Sequence, residues 1–144
     1  MATRSNISVK VGDLYHTIYV HWDGYPEGVG KTLALNYNSQ ELAEKLVSYG
    51  DISSLDDSSD KPEGHTFDDP VKGYTVYYGR DRGETGTDMQ ICDLVRFEQE
   101  YSYEWDGSKW LVSGYDLEDA VLTEVLGLET VADDEPWFII SYSF

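Results

Sequence analysis

The sequence predicts an α+β domain, with an antiparallel sheet of about five or six strands and two helices packed on one face. Several short runs alternate apolar and polar residues, which is the pattern of a strand with one buried face. Two segments place apolar residues at helical spacing behind a capping residue. The 12 Tyr and 4 Trp among 144 residues also favour a sheet over a helical bundle.

The first predicted unit is a β-hairpin. Apolar and polar residues alternate from 7 to 11 and again from 16 to 22, and Gly12 and Asp13 lie between the two runs. The two runs therefore predict paired strands that share one apolar face, with a short turn at Gly12.

A helix is predicted next. Asn38 is its expected N-cap, Glu41 three residues later is the capping-box partner, and Gly50 ends the helix. The expected buried stripe contains Leu42, Leu46 and Tyr49.

Residues 51–73 are rich in Asp, Ser, Pro and Gly, and they predict a long acidic surface loop. A short strand over 74–78 and a polar loop over 80–87 follow. At this length the whole chain, 1–144, is expected to form a single domain.

The strongest alternation spans 95–106. Tyr101, Tyr103 and Trp105 lie on one side of the period of two, together with Val95, Phe97 and Gln99. A hairpin turn at Gly107-Ser108 would then place Trp105 opposite Trp110 and Tyr103 opposite Val112, which keeps both faces consistent.

A second helix is predicted behind Asp116, with Leu117, Val121 and Val125 at helical spacing and Gly127 at its end. Residues 137–142 predict a last strand that is apolar enough to lie centrally in the sheet.

The charge of the chain limits its partners. The chain has 28 acidic and 10 basic residues, a formal net charge of −18, and residues 97–144 alone hold 12 acids and one base. Such a field repels nucleic acid and acidic membranes and attracts basic surfaces. We therefore expect no direct nucleic-acid binding and no membrane association.

Composition and the N-terminus favour a cytoplasmic location. The single Cys92 excludes an internal disulfide and a cysteine-cluster metal site. The first residues lack the apolar segment of a signal peptide, and no apolar run reaches the roughly 18 residues of a membrane span.

Two motifs could carry chemistry near the first hairpin. Residues 28–32 end like a phosphate-binding P-loop, but Tyr25 stands where that motif needs its first glycine. His21 and Asp23 would share a strand face, and with Trp22 and Tyr25 they form a possible loop site. Neither ligand set is complete, so we expect no metal, no cofactor and no enzymatic activity.

The acidic face of the 95–106 strand is the sharper signal. Residues two apart on a strand are separated by roughly 6.8 Å, which is close to the contour spacing of phosphates on a nucleic-acid strand. A row of carboxylates at that spacing could occupy a basic groove as a decoy for nucleic acid. The predicted partner-binding residues, including those of the second helix, are Glu98, Glu100, Glu104, Asp106, Glu118, Asp119 and Glu124.

The segments Ile18-Tyr-Val-His-Trp-Asp-Gly-Tyr-Pro-Glu-Gly-Val-Gly30 and Gly50-Asp-Ile-Ser-Ser-Leu55 carry a resemblance. With these segments the chain resembles a group of small bacteriophage and prophage proteins. The resemblance covers about the first 55 residues, with Tyr77-Tyr-Gly-Arg-Asp-Arg82 as a further segment. It implies a viral origin and brings no catalytic residue, and it leaves the acidic stripe outside the matched segments.

The leading hypothesis is a phage-encoded acidic inhibitor, a nucleic-acid mimic that blocks a basic, nucleic-acid-binding host defence protein such as a CRISPR effector or a restriction nuclease. It would act in the host cytoplasm. Two alternatives stay open: a small ligand-binding or enzymatic domain centred on residues 23–30, and a salt-adapted protein whose acidity has no part in function.

Overall fold

The computed structural model describes residues 2–131 and 135–141, and it confirms the α+β class. The main sheet is larger than predicted, with eight strands. In chain order these are β1 (Ser5–Val11), β2 (Leu14–Val20), β3 (Ile52–Ser54), β4 (Val76–Tyr77), β5 (Gln90–Cys92), β6 (Tyr101–Trp105), β7 (Trp110–Gly114) and β8 (Leu117–Val121).

The sheet is mixed rather than antiparallel. Its strand order is β4-β3-β2-β1-β6-β7-β8, and β5 pairs with β2 beside β3. The pairs β1–β6 and β2–β3 are parallel, and the other pairs are antiparallel. Both parallel pairs join strands separated by long connections, which parallel pairing requires. Local alternation predicts the hairpins but carries no information on these distant pairings.

The helices are short. A π-helical turn at Pro26–Gly30 leads directly into α1 (Lys31–Asn36), and α2 (Gln40–Ser48), α3 (Tyr78–Arg82) and α4 (Leu122–Val125) follow. Leu33 of α1 and Leu46 of α2 belong to the same buried cluster as Ile7 and Val9 of β1, so α1 and α2 cover one face of the sheet. The predicted layer of helices on one face is therefore present, with α1 in place of the predicted second helix.

The cap and the buried face of α2 differ from the prediction. Ser39, one residue after Asn38, is the N-cap, and its hydroxyl accepts a hydrogen bond from the Leu42 N–H at 3.2 Å. Leu46 is buried as predicted, but Leu42 and Tyr49 are exposed. The buried stripe is Ala43, Leu46 and Val47.

The prediction of a helix behind Asp116 is wrong for residues 117–121. These residues form β8, which pairs with β7 through Val112 opposite Ala120 and Leu111 opposite Val121. Backbone pairing with a strand already in the sheet prevails over the helical spacing of Leu117 and Val121. Helical structure begins only at Leu122.

The predicted hairpin at Gly107-Ser108 is confirmed. Trp105 faces Trp110 and Tyr103 faces Val112, and the Trp105 and Trp110 rings lie 5.4 Å apart at 62°. The strand is shorter than predicted, because it begins at Tyr101. Residues 93–100 form a loop instead, and Phe97 is 60% exposed rather than buried.

The core lies between one sheet face and the pair α1–α2. Its aromatic residues satisfy their polar atoms, as buried Tyr and Trp require. The Tyr103 hydroxyl donates to the Gly24 carbonyl at 2.7 Å, and the Trp110 Nε1 donates to the Tyr37 carbonyl at 3.0 Å. The first of these bonds ties the loop after β2 to the centre of the sheet.

The predicted surface loop over 51–73 contains β3 and a buried anchor. His65 is 1% exposed, and its Nδ1 accepts a hydrogen bond from the Val71 N–H at 2.9 Å. The proton therefore lies on Nε2, which faces the Thr75 carbonyl at 3.2 Å and the Asp81 carboxylate at 3.4 Å. The loop is fixed to α3 by this histidine.

The last predicted strand is present as β10 (Glu135–Ser141), while Tyr142 lies outside the described residues. β10 pairs with β9 (Leu128–Val131) in a separate two-stranded sheet, so the prediction of a central position in the main sheet is wrong.

Candidate interaction surface

A groove of about 550 Å³ lies on the sheet face opposite the helices, between the 93–100 loop and the hairpin of β7 and β8. Ser102 and Ser113 form its floor, and Phe97, Tyr115 and Leu117 line its sides. Phe97 and Tyr115 are 60% and 76% exposed. Exposed aromatic side chains beside a concave surface are typical of protein-binding sites.

The turn between β7 and β8 shapes one side of this groove. Tyr115 in the turn has φ 51° and Asp119 within β8 has φ 44°, both in the left-handed region that non-glycine residues avoid. They are two of the three non-glycine residues with positive φ among the described residues. Strained backbone of this kind persists only where the surrounding structure maintains it, and it is often found at functional sites.

Glycine is required beside this turn. A Cβ on Gly114, which has φ 144°, would lie 2.4 Å from the Glu100 carbonyl oxygen. The close approach lets the Tyr101 and Tyr115 rings pack 5.2 Å apart, and the Tyr115 hydroxyl reaches a Glu100 carboxylate oxygen at 3.4 Å. The exposed tyrosine is thus held over the groove.

Acidic side chains surround the groove. The segment 93–119 contains eight acids and two bases. Both bases are already paired, Arg96 with Glu98 at 3.0 Å and Lys109 with Asp106 at 3.2 Å. The exposed acids on this side are Glu100, Asp116, Glu118 and Asp119. The groove therefore combines an aromatic surface with a strongly negative field.

The predicted partner-binding residues are only partly brought together. Glu100 on the loop and Glu118 and Asp119 on β8 approach the groove from two sides rather than along one strand, whereas Glu98 lines a separate cleft on the other side of the loop. Glu124 is exposed on α4, away from the groove lining. The prediction of a carboxylate row at strand spacing is wrong, because residues 98 and 100 lie in the loop before β6.

Glu104 is not a free surface carboxylate. It is half-buried on β6 and accepts a hydrogen bond from the Tyr15 hydroxyl at 3.4 Å. Burial raises the pKa of the Glu104 carboxyl, and the nearby Asp119 carboxylate raises it further.

Asp106 has a local structural role. Its Oδ1 accepts hydrogen bonds from the backbone N–H groups of Ser108 and Lys109, each at 2.9 Å. Burial opposes the charge, but these N–H groups lower the pKa of Asp106 to about 2. The carboxylate stabilises the hairpin turn and is not available to a partner.

The possible loop site at residues 21–25 forms two separate pairs. The Tyr19 hydroxyl and the His21 Nδ1 are 2.7 Å apart, and the Tyr25 hydroxyl lies 3.4 Å from Asp23. The prediction that His21 and Asp23 share a strand face is wrong, because β2 ends at Val20 and Asp23 has φ 57°.

The glycines of the same loop serve packing. A Cβ on Gly24 would lie 2.8 Å from the Thr3 carbonyl oxygen, and one on Gly28 would lie 2.3 Å from the Asp23 carbonyl oxygen. The Gly28–Thr32 segment thus makes a compact entry to α1.

The described ranges, 2–131 and 135–141, contain no group of three His, Cys, Asp or Glu side chains placed to hold a metal ion. None of the helices there has the length and apolar character needed to cross a membrane.

Sequence reasoning missed the aromatic part of the groove. Phe97 fits the buried side of a strand pattern, and Tyr115 gives no signal beyond its position after a glycine. No family model, curated protein or solved structure matches the chain.

Proposed function

We propose that the protein is an acidic interaction protein that binds a basic partner through the groove beside β8. The observation that carries this proposal is the pair of exposed aromatic residues, Phe97 and Tyr115, inside a ring of carboxylates whose neighbouring bases are already paired. Aromatic anchors supply most of the binding energy at protein interfaces, and surrounding charges select and steer the partner.

The partner class follows from the charge. A surface that complements this groove would present Lys and Arg around an apolar anchor site, and basic surfaces of this kind are most common on nucleic-acid-binding proteins. The protein would compete with nucleic acid for that surface. Here the carboxylates of β8 and of Glu100 act together, where the sequence predicted a row on the 95–106 strand with further acids on a second helix.

In the phage setting that the resemblance implies, the partner is a host defence protein that binds nucleic acid, and the protein acts as its inhibitor. An enzymatic role is not part of this proposal.

The test compares two variants with the same change in charge. A groove variant replaces Glu100, Asp116 and Glu118 with Lys, and a matched loop variant replaces Glu63, Asp68 and Asp69 with Lys. All six side chains are exposed, so both variants should fold. Each protein is immobilised and offered host lysate at about 0.05 M and about 0.5 M NaCl, conditions that differ strongly in screening.

We expect wild type and the loop variant to capture a basic protein at low salt that the groove variant does not capture. Duplex DNA or RNA should displace it, and its nucleic-acid-binding or nuclease activity should fall when the wild-type protein is added. Equal loss of capture in both variants would show that the interaction depends on the net charge of the protein and not on the groove. Capture that nucleic acid cannot displace would contradict mimicry.

A further inference from the structure

A second, smaller cleft of about 190 Å³ lies on the other side of the 93–100 loop from the groove. Asn6 of β1 and Tyr19 of β2 line it, and these two residues are register partners whose side chains share one sheet face. Gln90 of β5 and Asp51 form its sides, and Arg96 and Glu98 of the loop border it above. The lining is mostly polar, unlike that of the groove.

Asn6 leaves a hydrogen-bonding requirement unmet at this cleft. The residue is 6% exposed, and its Nδ2 donates to the Ile18 carbonyl at 3.4 Å. That bond sets the orientation of the amide, because reversing it would place two oxygens against each other. Oδ1 then has no donor among the described residues. A buried acceptor without a donor costs about 1–3 kcal/mol, so a ligand that supplies an N–H is favoured.

The charges around the cleft also favour a cation. Asp51 and Glu98 carry two carboxylates against the single guanidinium of Arg96, which is already paired with Glu98 at 3.0 Å. One Asp51 oxygen accepts the Tyr19 N–H at 2.9 Å, which leaves its other oxygen for a ligand. Burial raises the pKa of the Asp51 carboxyl although the Tyr19 N–H opposes the shift, as expected for a carboxylate that lacks a cationic neighbour.

We propose that this cleft binds a small primary ammonium group, held by the Asn6 Oδ1 and the carboxylates of Asp51 and Glu98. The volume equals that of roughly six water molecules at about 30 Å³ each, which suits a short amine rather than a nucleotide. The ammonium could belong to a free diamine or to a lysine side chain, and both supply the same three N–H donors. The inference does not depend on the groove or on its proposed partner.

The binding test uses four probes with the purified full-length chain. 1,4-Diaminobutane represents a free amine and Nα-acetyl-lysine methylamide represents a lysine side chain. Tetramethylammonium has the charge without N–H donors, and 1,4-butanediol has the length without the charge. Titrations followed by the side-chain amide resonance of Asn6 are run at about 0.5 M NaCl, so that the general field of the protein is screened.

We expect at least one of the two ammonium probes to bind and to shift the Asn6 amide resonance, with the tighter probe identifying the source. Asp51→Asn keeps the oxygen that accepts the Tyr19 N–H and should weaken binding at least about tenfold, the effect of losing a charge-assisted hydrogen bond. The exposed Glu98→Gln should fold in any case and weaken binding about threefold. Asp68→Asn removes an exposed acid outside the cleft lining and should change affinity less than about twofold, as expected for a screened exposed charge.

Three results would overturn the site: no binding of either ammonium probe to wild type, equal binding of tetramethylammonium, or equal losses in the Asp51, Glu98 and Asp68 variants. None of these results bears on the groove, because Glu100, Asp116 and Glu118 are unchanged in every protein tested. A failure of partner capture would likewise leave this site standing.

Discussion

Asp106 shows that a carboxylate in an acidic region can serve folding alone. Replacing it with Ala removes the acceptor for two backbone N–H groups in the Gly107-Ser108 turn. We expect a loss of about 1 kcal/mol in the free energy of unfolding at neutral pH, moderate because solvent reaches the turn. Urea unfolding of wild type and Asp106→Ala measures it, with the exposed Asp68→Ala as a control that should change stability little.

The pH dependence of this difference has a definite sign. The pKa of Asp106 is lowered to about 2 in the folded protein, so its contribution is complete above the ordinary Asp pKa of about 4. It is lost as the pH falls toward about 2. The stability gap between wild type and Asp106→Ala should therefore close on acidification. A gap that stays constant down to the folded pKa would show that the turn does not depend on the charge.

Glu104 gives the opposite prediction. Burial and the Asp119 carboxylate raise its pKa, so the ionised form is disfavoured in the folded protein at neutral pH. Glu104→Gln keeps an acceptor for the Tyr15 hydroxyl and should stabilise the protein by up to about 0.5 kcal/mol at pH 7, a small gain because the site is half-exposed. A raised pKa favours folding below the unfolded pKa, so the gain should vanish near pH 4. Thermal unfolding at both pH values distinguishes this from a constant packing effect.

At the scale of elements, α3 fixes the loop between β3 and β4, residues 55–75, through a buried carboxylate. The Asp81 side chain is fully buried and pairs with Arg80 at 2.9 Å, next to His65. Burial opposes its charge, but Arg80 and the Tyr77 N–H lower the pKa of Asp81. Asp81→Ala leaves Arg80 and His65 without their shared partner and should destabilise the protein by about 3 kcal/mol.

Trypsin provides a local measurement of the same change. Lys72 lies in the loop and is followed by Gly73, and we expect Asp81→Ala to be cleaved after Lys72 much faster than wild type. Asp60→Asn alters the exposed Lys45–Asp60 pair in the same loop and should leave cleavage unchanged. Equal protection in Asp81→Ala and wild type would mean that other contacts hold the loop.

The sequence predicted elements that form locally and missed those decided by distant contacts. The hairpins at Gly12 and Gly107 follow from alternation and short turns, and both are present in register. Residues 117–121 satisfy a helical spacing and a strand equally, and pairing with β7 decides between them. Residues 95–100 alternate like a strand, yet they lie over the sheet as a loop. The groove depends on both the strand at 117–121 and the loop at 95–100. The sequence therefore identified the acids of the groove but could not show where they lie in the fold.

For the whole molecule, the net charge of −18 predicts self-repulsion in the folded state. Added NaCl should raise the melting temperature most steeply below about 0.15 M, where the Debye length exceeds about 8 Å, and then level off. The groove and loop variants each reduce the net charge to −12, so both should show a smaller and similar rise. Partner capture, in contrast, should be lost only in the groove variant.

The same titration separates an interaction protein from a salt-adapted one. Screening of surface charge is nearly complete at about 1 M salt, where the Debye length is about 3 Å. If the acidity serves a partner, stability at about 2 M NaCl should exceed that at about 0.5 M only by the weak effect that excluded salts have on any fold. A protein adapted to salt would instead keep gaining stability well beyond the range of screening, in both variants as in wild type. Calorimetry across this range with the three proteins measures the difference. A continued steep rise in stability would show that the carboxylates are an adaptation to salt. The ring of acids around Phe97 and Tyr115 would then give no reason to expect a basic partner.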